Sequence, residues 1–323
     1  MIPYGKQDIS KADIDSVIDV LKSDYLTQGP LVPLFEKSVS EYCGSKFGVA
    51  VNSATSALHI ACAALGLGDG DIIWTSPNTF VASANCGLYC GAKVDFVDID
   101  SKTYNLCPIE LEKKLIWANK FNKLPKIVIP VHFAGQSCDM RRIHYLSEIY
   151  GFKIIEDASH AIGGKYLNKS IGSCEFSDIT IFSFHPVKII TTGEGGMALT
   201  NNRELEQNMR RLSNHGITKN KMLMQSRPKN EIWNYQQIDL GFNYRMTDLQ
   251  AALGISQMKR IDDFVKHRHA LQKRYHEKMI NLPIDLPYQS KDSYSSLHLY
   301  PIQIKLDLIS KSHPEVFNDL IKK

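Results

Sequence analysis

The feature that most constrains this chain is a regular alternation of short apolar runs with helix-patterned segments. "FGVAVN" precedes "TSALHIACAALGL", "DIIWTS" precedes "TFVASANCGLYCGA", and "KVDFVDID", "KIVIPVHF", "FKIIEDAS" and "DITIFSF" continue the series. Strands apolar on both faces need cover on both, and helices between them serve as crossovers joining parallel neighbours. The pattern therefore predicts an α/β fold with a mostly parallel sheet between layers of helices. Further helices are predicted over 7–22, where Ile14, Val17, Ile18 and Leu21 recur at helical spacing behind Ser10 as N-cap, and around Leu34 to Tyr42. A third lies in "RELEQNMRRLSNHG", with Gly216 as its C-cap. Ile217 to Gln237 is polar and aperiodic, an excursion over the surface. From about 247 the chain is helical, and "HLYPIQIKLD" then restarts a strand pattern. The expected division is a large domain over 1–245 and a smaller C-terminal α+β domain over 246–323, truncated by the end of the chain.

Composition removes several function classes. The net charge of +4 is spread thinly over 323 residues, which offers nucleic acid no basic face. No apolar run approaches the ~20 residues of a membrane span, and "MIPYGKQDIS" does not read as a signal peptide. The seven cysteines form no CxxC pair, so neither a metal site nor a disulfide framework is expected. They suit small buried hydrophobes in a reducing cytoplasm.

Ligands of open parallel sheets gather at the carboxyl ends of the strands, and polar residues cluster at those ends here. Asn52 to Ser56 follow "FGVAV" and lead into a helix, which suits either a phosphate cradle or a plain N-cap. Glu156, Asp157 and His160 follow "FKII"; an acidic residue there can equally be a cap. In "SFHPVKIITTGEGGMALT", Lys188 follows a strand and precedes a glycine-rich turn, as a surface charge, a phosphate binder or a Schiff-base amine. The glycines at 193, 195 and 196 match no nucleotide-binding loop, and "GLGDGD" is no dinucleotide fingerprint. One cofactor uses all these pieces. Pyridoxal 5′-phosphate requires a lysine for covalent attachment, a carboxylate to keep its pyridine nitrogen protonated, an aromatic wall and an anion site. Asp157 precedes Lys188 by 31 residues, in the order of fold-type I aminotransferases.

With "LTQGPLVPLFE", "NSATSALHIACAALGLGDGD", "SPNTFVASANC", "EDASHAIGGKY", "RRLSNHGI" and "LGFNYRMTDLQAALGISQM", the chain resembles the DegT/DnrJ/EryC1/StrS sugar aminotransferases over roughly residues 3–260. The resemblance implies a fold-type I enzyme with Lys188 as Schiff-base lysine, Asp157 against the pyridinium nitrogen and His160 beside the cofactor. It implies Phe80 as the stacking aromatic, and Ala54, Thr55 and Ser183 around the phosphate. Asn243 would reach the phosphate from the other subunit of a homodimer with shared sites. Tyr4, Asp24, Tyr25, Leu26 and Thr27 match substrate-binding positions, to which Ala54, Ser183 and Asn243 also contribute. "NSATSAL", "SFHPVKIITTGEGGM" and "HLYP" look most like the branch that aminates C4 of a UDP-linked 4-keto-6-deoxy-N-acetyl sugar, with glutamate as donor. Other keto sugars on dTDP or GDP, and a non-catalytic regulator, are the alternatives. A related dehydratase carries histidine in place of the lysine, which Lys188 disfavours. Chains of the family run further at the C-terminus, so part of the sugar-nucleotide wall is expected to be missing.

Overall fold

The computed structural model describes residues 5–226 and 231–322. Seven strands form one sheet: β1 (Phe47–Val51), β2 (Ile72–Thr75), β3 (Lys93–Phe96), β4 (Ile127–Ile129), β5 (Lys153–Asp157), β6 (Ile179–Ser183) and β7 (Gly196–Thr200). Their order is β1-β7-β6-β5-β4-β2-β3. All pairings are parallel except those of β7, which runs antiparallel to both β1 and β6.

Helices cover both faces: α1 (Lys11–Leu21), α2 (Leu31–Cys43), α3 (Ala54–Ala64), α4 (Ala82–Tyr89), α5 (Pro108–Lys120), α6 (Met140–Tyr150), α7 (Arg203–Leu212), α8 (Asp248–Met258), α9 (Ile261–Met279) and α10 (His313–Lys322). Strand alternation sorts the core. Val49, Val51, Ile127, Ile129, Ile155, Ile179 and Ile181 pack with the inner residues of α3, α4 and α7. On the opposite face Phe182, Met197 and Leu199 meet α2, α8 and α9, while Trp74, Val128 and Ile154 meet α5 and α6. Side chains pointing alternately to two covered faces explain why the strands read as continuous apolar runs. Ser10 caps α1 as the sequence predicts, in a reciprocal box with Asp13.

Four local expectations change. The glycine-rich stretch before "MALT" is not only a turn, because Gly196 already belongs to β7. The C-cap of α7 is Ser213. Gly216 comes later, at φ +68°, where an added Cβ would fall against the backbone of Asp239. The excursion after α7 does run over the surface, as a two-residue ribbon (Ile217–Thr218 with Gln236–Gln237). Yet it carries apolar groups outward: Met222, Ile232 and Trp233 are 90%, 91% and 72% exposed. In "HLYPIQIKLD" only Gln303–Ile304 pairs, with Ile284–Asp285. His298 instead donates its backbone N–H to Ala134 at 2.8 Å, beside the main sheet's carboxyl edge.

Candidate active site

A cavity of about 1070 Å³ opens at the carboxyl ends of β1, β5 and β6, between α3 and the loop after β6. One wall is the turn from β1 into α3. Ser53 caps this helix, its Oγ accepting from the Ser56 N–H at 3.1 Å, while Ser56 Oγ donates to Asn52 Oδ1 at 2.6 Å. Ala57 N–H closes the first helical bond to Ser53 O. The first N–H groups of a helix have no partner within it, and here the cap satisfies Ser56 but leaves those of Ala54 and Thr55 at the cavity wall. The N-cap and anion-cradle readings are thus compatible. Gly196 sets the tightness of this wall, since a Cβ there would sit 2.4 Å from Ala54 N and Ser53 C.

Asp157 ends β5 and is 4% exposed. Ser83 Oγ donates to its Oδ2 at 2.5 Å and the Ser159 N–H to its Oδ1 at 3.1 Å; Thr79 Oγ1 in turn lies 2.8 Å from Ser83 Oγ. Each carboxylate oxygen is therefore held, and the group has one orientation in the cavity wall. Glu156, its neighbour, points the other way into a buried set with His132 Nε2 (2.7 Å), Ser177 and Thr180. The Cys138 N–H donates to His132 Nδ1, which leaves Nε2 to carry the proton facing Glu156. That acidic residue serves the fold.

Lys188 stands on a tight turn, its N–H donating to His185 O at 2.9 Å. The loop that carries it is closed by Phe184 N–H to Gly195 O (2.9 Å) and clamped from α8 by Gln250 Nε2 to Glu194 O (2.8 Å). Burial pushes the Lys188 amine below the ordinary lysine value, with the Asp157 charge opposing in part. His160 is held down at about 4, first by burial and then by the Lys188 charge, so its ring is neutral near pH 7.

The structure brings Ala54, Thr55, Phe80, Asp157, His160, Ser183 and Lys188 into this one cavity. Phe80 lines it while 73% exposed. Asn243 does not line it. The residue lies between Phe242 and Tyr244, whose rings stack at 4.9 Å beside His59, and strand alternation turns it outward and exposed. Asp24, Tyr25, Leu26 and Thr27 are also exposed and outside the lining. Their segment is tied next to the cavity by the Asp248 N–H to Leu26 O (3.1 Å) and by Asp248 carboxylate bonds to the N–H groups of Gly29 and Leu31. Tyr4 lies outside the described residues. Sequence reasoning gave no role to Ser83, Ser159, Gln250 or His298. Ser83 and His298 stand inside the motifs "SPNTFVASANC" and "HLYP", but what each touches is remote in sequence.

Two N–H groups at a helix start with no partner among the described residues, a desolvated lysine and an oriented carboxylate fit a phosphorylated pyridine aldehyde. Among the described residues no cluster of potential metal ligands competes with that reading, and no helix is long and apolar enough to cross a membrane.

Comparison with known proteins agrees. The profile of the DegT/DnrJ/EryC1/StrS aminotransferase family matches residues 7–321. The spore coat polysaccharide biosynthesis protein SpsC of Bacillus subtilis is 40% identical over 94% of this chain and 76% of its own length. A UDP-4-amino-4,6-dideoxy-N-acetyl-beta-L-altrosamine transaminase of Campylobacter jejuni (strain 81-176) is 39% identical over 99% of this chain and 81% of its own. Among solved structures, Helicobacter pylori PseC, an aminotransferase of pseudoaminic acid biosynthesis, superposes with TM-score 0.82 at 32% identity, over 93% of this chain and 76% of that one. The PLP form of the putative sugar aminotransferase Spr1654 of Streptococcus pneumoniae gives 0.86 at 28% identity, over 99% and 82%. The chain belongs to the DegT/DnrJ/EryC1/StrS aminotransferase family and is a pyridoxal-phosphate-dependent sugar aminotransferase.

Proposed function

We propose that this enzyme transfers the amino group of glutamate to C4 of a UDP-linked 4-keto-6-deoxy-N-acetyl sugar, giving UDP-4-amino-4,6-dideoxy-N-acetyl-beta-L-altrosamine. The observation that carries the chemistry is the half-buried Lys188 amine, lowered in basicity, in the same cavity as the doubly held carboxylate of Asp157. The choice of sugar rests on the two Campylobacter transaminases, at 39% and 38% identity over 99% of this chain. A GDP-perosamine synthase of Caulobacter vibrioides at 35% identity keeps a GDP-linked keto sugar as the second reading.

The bound cofactor supplies an electron sink that stabilises negative charge on the carbon it holds. The chain's own residues supply the rest. Ala54 and Thr55 N–H groups with Ser183 Oγ would hold the phosphate, and Asp157 would keep the pyridine nitrogen protonated. Lys188, freed of its proton more readily than an exposed lysine, would provide the amine for covalent attachment and the base that moves a proton at the substrate carbon. His160 stays neutral beside the ring.

The dimer is part of the same reading. Phe80 is a cavity wall left 73% exposed, Asn243 is exposed and outside its own cavity's lining, and Met222, Ile232 and Trp233 are exposed apolar groups. A second copy that covers these surfaces and offers Asn243 to the neighbouring phosphate would complete the site and exclude water from it. The test is incubation with pyridoxal phosphate, glutamate and UDP-, dTDP- or GDP-linked 4-keto sugars, with mass detection of the amino sugar. Amination of the dTDP or GDP substrates in preference to the UDP-linked one rejects the proposed substrate.

A further inference from the structure

The His160 ring presents a problem of positioning. None of its atoms is hydrogen-bonded to a described residue, and its Nδ1 is buried without a partner. A ring with no directional bond takes its orientation from packing. Phe133 stands at 6.3 Å between centroids, whereas the ring of His298 lies at 4.3 Å with a 40° tilt. His298 is 8% exposed and lines the same cavity.

His298 is itself placed with unusual thoroughness for a residue in an unpaired segment. Its N–H donates to Ala134 O at 2.8 Å, and Arg268 Nη1, from α9, donates to the carbonyls of Leu297 and His298 at 3.1 and 3.2 Å. Ser296 Oγ donates to the His160 carbonyl at 2.8 Å. Leu297 adopts φ +52° to make these contacts at once. Gly135 permits the crossing, since a Cβ there would come within 2.6 Å of Ser296 Oγ and 3.0 Å of His160 O. The C-terminal segment thus holds His160 twice, by its backbone and by its ring.

We propose that His298 is a positioning residue: by stacking on His160 it fixes the ring that faces the cofactor, so that a segment arriving after α9 sets the cofactor's bed. The inference rests on the cofactor and not on which sugar is aminated. Burial, with the Lys188 and Arg268 charges nearby, keeps the His298 imidazole neutral, which suits a stacking role.

The test compares His298→Ala with His298→Phe, which keeps a flat ring without nitrogens. Apoprotein is titrated with pyridoxal phosphate, and the circular dichroism induced in the bound cofactor is recorded as a report of its orientation. An aromatic pair contributes enough that His298→Ala is expected to weaken cofactor binding about three- to tenfold and to change the induced band. His298→Phe is expected to restore both to within about twofold, the margin of a lost hydrogen-bond-free contact. An unchanged band and affinity in His298→Ala overturn the proposal, as does a His298→Phe protein no better than His298→Ala. Should His298→Ala fail to fold, Ser296→Ala replaces it. That change removes only the hydroxyl bond to the His160 carbonyl, and the proposal then requires an altered induced band; an unaltered one overturns it.

Discussion

Replacing Gly196 by alanine is a sharp test of how the phosphate wall is built. Gly196 pairs with Val51 on one side and Ser183 on the other, so it stands between the strand that launches the Ser53–Thr55 turn and the strand that ends in Ser183. A Cβ there would lie 2.4 Å from Ala54 N and from Ser53 C, and 2.5 Å from Ser53 O. Ordinary contact begins near 3.4 Å, so the turn must retreat by about 1 Å, and the obstructing atoms are main chain that no rotamer change can clear. Overpacking typically costs about 1–3 kcal/mol, and a backbone obstacle belongs at the upper end. With roughly 1.5 °C lost per kcal/mol in a chain of this length, the apoprotein Tm should fall by about 3–5 °C. The same retreat misaligns the Ala54 N–H from the phosphate. A hydrogen bond to a charged group contributes about 1.5–3 kcal/mol, so pyridoxal phosphate Kd should rise about 10- to 150-fold. Fluorescence titration of apoprotein and thermal unfolding measure the two effects. Gly193→Ala is the control: it lies in the same loop at φ +81° with nothing within 4 Å of an added Cβ. That variant should lose about 1 kcal/mol to backbone strain and keep its cofactor affinity. If Gly196→Ala binds the cofactor as tightly as wild type, the wall is not set by this contact.

Other expectations follow from the same geometry. Lys188→Ala should lower turnover by several orders of magnitude, because one amine serves as both covalent partner and proton carrier; retention of a tenth of wild-type activity without added amine contradicts that role. Ser83→Ala removes the 2.5 Å bond to Asp157 Oδ2 and should slow transamination by about tenfold while costing about 1–3 kcal/mol of stability, read by steady-state rate and unfolding curves together. With the Lys188 amine depressed by burial, cofactor capture by apoprotein should rise with pH and level off below the ordinary lysine range; a midpoint at or above that range contradicts the burial. Mixed after verified subunit exchange, inactive Lys188→Ala and Asn243→Ala proteins should regain partial activity, since one site of each mixed dimer carries both residues intact. A mixture that stays inactive assigns Asn243 to its own chain.

The alternation of apolar runs and helices made the architecture legible, because parallel strands buried on both faces have few other sequence solutions. β7 was not, since the glycines at 195 and 196 look like a turn, whereas Gly196 answers to the close approach of Ser53 and Ala54 and Gly195 to that of Thr192 and Met246. The C-cap of α7 is Ser213 rather than Gly216, whose N–H still donates to Arg211 O but whose lack of a Cβ answers to the close approach of Asp239. Lys188 and Asp157 could be read because the chemistry of each needs a particular residue at a strand end. Ser83 and His298 could not. A serine reaching an aspartate 74 residues away, or an imidazole delivered by an unpaired segment, leaves no local periodicity to detect.

The antiparallel strand also dictates a timetable. β1 leaves the ribosome early, yet its only sheet neighbour is β7, and Phe47 waits for Thr200. The strands β2 to β6 can zip together as the chain emerges, each parallel pair closed by its own crossover. The two halves of the phosphate wall meet only when β7 slides between them. Closing so long a loop is slow, and it comes after the neighbouring contacts have formed. The proposed anion site is therefore among the last parts of the large sheet to exist. A nascent chain cannot hold its cofactor before residue 200 is made, and cofactor arriving then would trap the finished register against reopening.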